Sequence, residues 1–185
     1  EVVHNGIDAV CLPLAKSQDS LKKLCHDLEF QKFLLWVGFP APRKNMDLLF
    51  EVFKKHQQRW PDHKFVIVTM KESHEQIRAF AQARGFLGNL RLFSNLADVE
   101  RDALYRCALA LVFPSQCEGF GYPSLEAIHQ GCPSFSLRGT AMEEMLEGVM
   151  PLVDEPTTHD FTQAIQSYMA LPEADREHVQ SSLIR

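Results

Sequence analysis

The chain has 185 residues, 45% of them apolar and 23% charged, with a formal net charge of −5. That composition fits one globular domain with a substantial core, and no apolar run approaches the roughly 20 residues that a membrane-crossing helix requires. The negative balance speaks against a protein whose main task is neutralising nucleic-acid phosphates, and Glu1-Val2-Val3-His4 lacks the basic start and long apolar stretch of a secretory leader.

In chain order, residues 1–4 read as a strand entering a turn at Asn5-Gly6. Residues 16–30 read as a charged helix with Leu21, Leu24, Cys25 and Leu28 on one side. The continuous apolar run 33–37 has the character of a strand covered on both faces, ended by Gly38. Asn45 can cap a helix carrying Met46, Leu49, Phe50 and Phe53 at helical spacing, stopped by Pro61. Residues 64–68 form the next strand. A helix with Ile77, Phe80 and Ala81 on one face follows, and Gly85 suits its C-terminal cap. Residues 90–93 are a strand, Asp98 opens a helix with Val99, Ala103 and Cys107 on its apolar side, and 108–113 is a strong buried strand. Pro123 fits the first position of a further helix closed by Gly131. Two weaker strands, 134–137 and 149–153, flank a short helix over 142–146. From Asp160 the chain is helical, with a break near Pro172 and a charged closing helix over 173–185.

Strands alternating with helices in this way imply crossover units, hence a doubly wound, Rossmann-like α/β domain with a parallel sheet and helices on both faces. Ligands of such sheets bind beyond the carboxyl ends of the strands, which selects the loops 38–44 and 114–123.

The second loop, Pro114-Ser115-Gln116-Cys117-Glu118-Gly119-Phe120-Gly121-Tyr122-Pro123, leads into a helix beginning Ser124-Leu125-Glu126-Ala127. Gly119 and Gly121 allow the backbone to approach a ligand closely, and the helix start around Ser124 to Glu126 offers N–H groups and the positive dipole end to phosphate oxygens. Glu118 and Glu126 are acceptor-only groups when ionised, each able to take hydrogen bonds from adjacent hydroxyls of a ribose or a hexose. Taken singly, these features are ordinary: Glu126 could simply offset the helix dipole, and Gly-Phe-Gly lacks the further spaced glycine of a dinucleotide fingerprint.

The whole string, with Gly131 and Pro133 after it and seven residues between the two glutamates, closely resembles the signature of retaining glycosyltransferases of family 4. The resemblance runs in register over nearly the whole chain. Val3 to Asp8 is similar to the family's interdomain segment, and Val37-Gly38 with Arg43-Lys44-Asn45 to its first donor-domain loop. Asp98 to Tyr105 is similar to the helix before the signature, and Glu144 stands where the family has a glutamate.

The resemblance implies one half of a two-domain GT-B enzyme. Residues 1–16 would be the interdomain segment, 17–172 the donor-binding domain and 173–185 a C-terminal helix. The whole enzyme would move a hexose, mannose or glucose being the candidates, from a GDP- or UDP-sugar to a saccharide or lipid-linked acceptor held by a separate N-terminal domain. By the same resemblance Glu118 acts on the transferred sugar and Glu126 on the ribose. The backbone at Gly119, Phe120 and Gly121 lies against the sugar, Ser124 and Leu125 lie near the diphosphate, and Lys44, Arg43 and Gly38 complete the donor site. No metal or other cofactor is implied, and the absence of an Asp-x-Asp motif agrees. No nucleic-acid partner is expected. The implied location is cytoplasmic, compatible with peripheral association of the whole enzyme with the inner membrane face.

Several positions depart from the family pattern. Phe39 stands where an arginine usually follows the glycine, Thr69 and Met70 where a glycine follows the second strand, Leu137 for a small polar residue and Glu143 for a proline. Phe39 motivates an alternative reading, a non-catalytic Rossmann-like interaction or scaffold module. A nicotinamide-dependent oxidoreductase is disfavoured, because no glycine fingerprint follows the first strand. The five cysteines, Cys11, Cys25, Cys107, Cys117 and Cys132, show neither a CxxC pair nor zinc-like spacing and are expected to be reduced. Cys117 has no nearby histidine to activate it, and the eight histidines show no ligand-like spacing.

Overall fold

The computed structural model describes residues 32–146 and 148–183. The expected strand over 1–4, the helix over 16–30 and the interdomain segment 1–16 lie outside the described residues.

Five parallel strands form one sheet in the order β3-β2-β1-β4-β5, with β1 Phe33–Val37, β2 Lys64–Val68, β3 Leu90–Phe93, β4 Ala110–Phe113 and β5 Ser134–Ser136. β1 is central, pairing Val37 with Val68 on one side and Leu35 with Leu111 on the other. All five of its residues are buried, which is why its sequence is continuously apolar rather than alternating. Leu34 and Trp36 enter one core, with Leu49, Phe53, Ile77 and Phe161; Phe33 and Leu35 enter a second, with Leu104, Leu111 and Ala127. The first core lies under α1 Met46–Arg59, α2 His74–Ala83 and α6 Thr158–Met169. The second lies under α3 Asp98–Cys107 and α4 Tyr122–His129. The expected Rossmann-like α/β architecture is therefore present.

Local chemistry explains most boundaries. Gly85 adopts φ 81° after α2, and the amide of Phe86 reaches back to the carbonyl of Ala81. At α6 the Thr157 hydroxyl accepts from the Asp160 amide at 3.1 Å, so the helix begins two residues before Asp160.

Other expectations need correction. Asn45 precedes α1 in the left-handed conformation, φ 51°, and its side chain makes no capping bond; it serves by tolerating that backbone. Val99 is exposed, because α3 turns Ala103 and Leu104 inward instead. α4 starts at Tyr122, placing Pro123 second. Residues 149–153 do not form a strand. Residues 148–150 turn and Pro151 supplies no donor, so only Val153 reaches Leu137 in an isolated bridge beyond β5. α5 Ala141–Leu146 and α7 Glu173–Leu183 complete the described elements. Cys117 and Cys132 are free thiols, and Cys11 and Cys25 lie outside the described residues. No helix among the described residues is long and apolar enough to cross a membrane.

Candidate active site at the carboxyl edge of the sheet

Both loops singled out by sequence stand at the carboxyl edge, one after β1 and one after β4, and the parallel pairing of these strands brings them together. The loop after β1 contains a short turn, Pro42–Lys44, that ends at Asn45. Its Arg43 carbonyl accepts the Gln116 amide at 2.8 Å, which ties the first loop to the second.

The side chains meet as well. Lys44 Nζ donates to Glu118 Oε1 at 2.5 Å, and both side chains are almost wholly buried, at 6% and 9% exposure. The same ammonium lies 4.7 Å from the centre of the Phe113 ring. Two residues to which the family resemblance gave different tasks, one on the diphosphate and one on the sugar, are thus partners here.

Glu126 has partners of its own on α3. Its Oε2 accepts the Tyr105 hydroxyl at 3.0 Å, and Arg101 Nε stands 3.4 Å from the same oxygen without hydrogen-bond geometry. Burial holds the Glu126 carboxyl above its ordinary range, with Arg101 and the Tyr105 hydroxyl pulling the other way. Burial and the neighbouring carboxylate push the Tyr105 phenol well up, so it remains a donor. Sequence reasoning gave Arg101 and Tyr105 no role in the site, although their i, i+4 spacing puts them on one face of α3.

The backbone amides require a correction. The Ser124 and Leu125 amides already bond to the Gly121 carbonyl, at 3.0 and 3.4 Å, and the Ser124 hydroxyl is locked in a fully buried ring with Ser134 and Ser136. The amides of Cys117 to Tyr122, those of Gly119, Phe120 and Gly121 among them, have no hydrogen-bond acceptor among the described residues. The Gly38 amide is likewise occupied, donating to the Val68 carbonyl at 3.0 Å.

Three buried polar atoms also lack a hydrogen-bond partner among the described residues at this edge: Trp36 Nε1, Thr69 Oγ1 and Ser115 Oγ. Each stands at or just beyond the carboxyl end of a strand. Such orphaned groups cost about 1–3 kcal/mol each unless something polar meets them. No group of three or more His, Cys, Asp or Glu arranged for a metal occurs among the described residues.

Gly121 makes the turn into α4 possible. Its φ is 79°, and a Cβ there would fall 2.0 Å from Met142 Cε and 2.5 Å from its sulfur. Met142 is buried, so it has little room to yield. Gly121→Ala is expected to destabilise the chain by about 2 kcal/mol, combining left-handed strain with overpacking. Urea unfolding tests this, and adding Met142→Ala should recover part of the loss; an unchanged midpoint in the single variant would contradict the account.

The family model described as glycosyl transferases group 1 matches residues 18–182. Among curated relatives, the serotype-specific mannosyltransferase WbdA of Escherichia coli is 31% identical over 123 residues, covering 62% of this chain and 15% of that protein. The O-antigen chain mannosyltransferase B of the same organism is 27% identical over 157 residues, covering 82% of this chain and 38% of that protein. The chain therefore spans well under half the length of either. Among solved structures, WaaG, a glycosyltransferase involved in lipopolysaccharide biosynthesis, superposes with a TM-score of 0.74 at 19% identity, over 93% of this chain and 46% of that one. The C-terminal domain of a glycosyl transferase group 1 family protein (LpcC) from Francisella tularensis gives 0.71 at 16% identity, over 88% of each chain. These structural likenesses concern the fold.

Proposed function

Because the chain belongs to the glycosyl transferases group 1 family, we propose that it is the donor-binding half of a retaining GT-B hexosyltransferase that uses a GDP- or UDP-sugar. The acceptor, a saccharide or a lipid-linked one, would be held mainly by another domain. The mannosyltransferases among its relatives make mannose the leading candidate for the transferred sugar. The observation that carries the reading is the Lys44–Glu118 pair beside the unpartnered amides of Gly119, Phe120 and Gly121.

Transfer from a nucleoside diphosphate sugar leaves negative charge on the departing phosphate. In this proposal the donor separates the pair: the Lys44 ammonium turns to the diphosphate, and the Glu118 carboxylate accepts from a hydroxyl of the sugar. Amides aimed at the developing charge stabilise it, and loss of one such donor typically costs about 3 kcal/mol of the barrier. Glu126 takes the ribose diol, held in place by Tyr105 and Arg101.

Calorimetric titration of the 185-residue chain with GDP and UDP tests the reading. One of the two should bind, and Glu126→Ala should weaken it at least tenfold through the lost ribose contacts. A folded chain that binds neither at millimolar concentration favours the scaffold alternative. An unchanged affinity in the variant takes Glu126 out of the site.

A further inference from the structure

The family resemblance leads one to expect an arginine at position 39, and the structure shows what the Phe39 side chain found there does. Its ring is 43% exposed, although an aromatic of this size ordinarily finds a place in a core. It belongs to neither of the clusters that flank the sheet. What it does contact is Arg43, whose guanidinium carbon lies 5.3 Å from the ring centre.

The charges of the site make this contact consequential. Lys44 and Glu118 pair in this structure and together contribute no net charge. Arg43 pairs with no carboxylate among the described residues, which leaves it as the surplus cation of the loop. Its backbone is fixed, because its carbonyl accepts the Gln116 amide of the second loop and the turn around it is closed by the Lys44 and Asn45 amides. Only the side-chain torsions are left to settle where the guanidinium stands, and an exposed arginine has many of them. A flat aromatic face four residues earlier restricts that freedom through cation–π attraction.

We infer that Phe39 is a positioning residue of the donor site: it holds the Arg43 guanidinium ready for the diphosphate. The inference rests on the donor-domain reading above. Arg43 touches the ligand, presenting its planar fork to two phosphate oxygens. Phe39 acts only through Arg43, so the position that argued for a non-catalytic module becomes part of the binding machinery.

The test is a double-mutant cycle on the 185-residue chain, read by calorimetry with GDP, UDP and inorganic pyrophosphate. Phe39→Met keeps an apolar side chain of similar size without the ring face, and should weaken nucleoside diphosphate binding about two- to fivefold. Phe39→Trp should restore it, and Phe39→Leu serves as a second truncation. In an Arg43→Ala background, Phe39→Met should have no further effect. Affinity for guanosine or uridine, which lack phosphate, should not change with Phe39, and thermal unfolding should be the same in all these chains. Additive losses, or unaltered affinity in Phe39→Met and Phe39→Leu while the wild type binds, overturn the inference alone. A wild-type chain that binds none of the three probes overturns the donor-domain reading and this inference with it.

Discussion

Replacing Lys44 by methionine should destabilise the chain by about 3 kcal/mol and abolish nucleotide binding together. The Glu118 side chain is 9% exposed, so without its ammonium partner a carboxyl that water hardly reaches would be left with no countercharge. For a chain of this size the loss corresponds to a fall of roughly 10 °C in Tm. Glu118→Gln has the converse defect, leaving a buried ammonium on the Phe113 ring with only an amide oxygen before it. The combined Lys44→Met/Glu118→Gln variant removes both charges and should recover most of the stability without recovering binding. Urea unfolding and GDP or UDP titration of the three variants check this. If the double variant is as unstable as the sum of the singles, burial of the ion pair is not what sets the cost.

Acidification should weaken the fold through two histidines remote from that site. His56 Nε2 lies 2.9 Å from His63 Nδ1; the His63 ring stacks on Trp60 and the His56 ring packs against it at a tilt. Burial, reinforced by His63, pushes His56 down from 6.5 to about 3. His63 is lowered too, by burial and then by Lys32, with Asp62 opposing. The native state therefore keeps His56 neutral where the unfolded chain accepts a proton. Stability is unaffected above pH 6.5 and falls as the pH drops from 6.5 towards 3. By pH 5 the His56 share amounts to about 2 kcal/mol. The urea midpoint should fall correspondingly between pH 7 and pH 5. It should fall less in His56→Phe/His63→Phe, which keeps the aromatic stack and loses both titrating groups. An equal fall in the two chains would assign the acid sensitivity to carboxylates instead.

Glu126 links the two themes of stability and binding. Burial raises its carboxyl against the opposing pull of Arg101 and the Tyr105 hydroxyl, so the fold disfavours its charged form. The Tyr105 hydroxyl donates to it and Arg101 stands beside the same oxygen.

How far the sequence alone could be read follows the range of each interaction. The strands at 33–37, 64–68 and 90–93 and the helices between them were legible because apolar periodicity and Gly or Pro punctuation act over a few residues. So was the position of the loops after β1 and β4, since both follow strands of one parallel sheet and stand at its carboxyl edge. Where a neighbour in space decided the outcome, local reading failed. Val99 has the residue type for a core but sits on the outward face of α3, and residues 149–153 have strand character but meet only one partner, Leu137. Ser124 and Leu125 were expected to offer amides that Gly121 already takes.

The sequence by itself therefore determined the class of fold, the two loops and the residue types that could carry donor chemistry, all of them encoded in short-range pattern. The tertiary structure alone decided the pairings: Lys44 with Glu118, 74 positions apart, Glu126 with α3, Arg43 on Phe39, and His56 with His63. Each of these depends on strand register and on how a helix or loop returns across the sheet. Those are set by the packing of the whole core, and no local spacing along the chain encodes them.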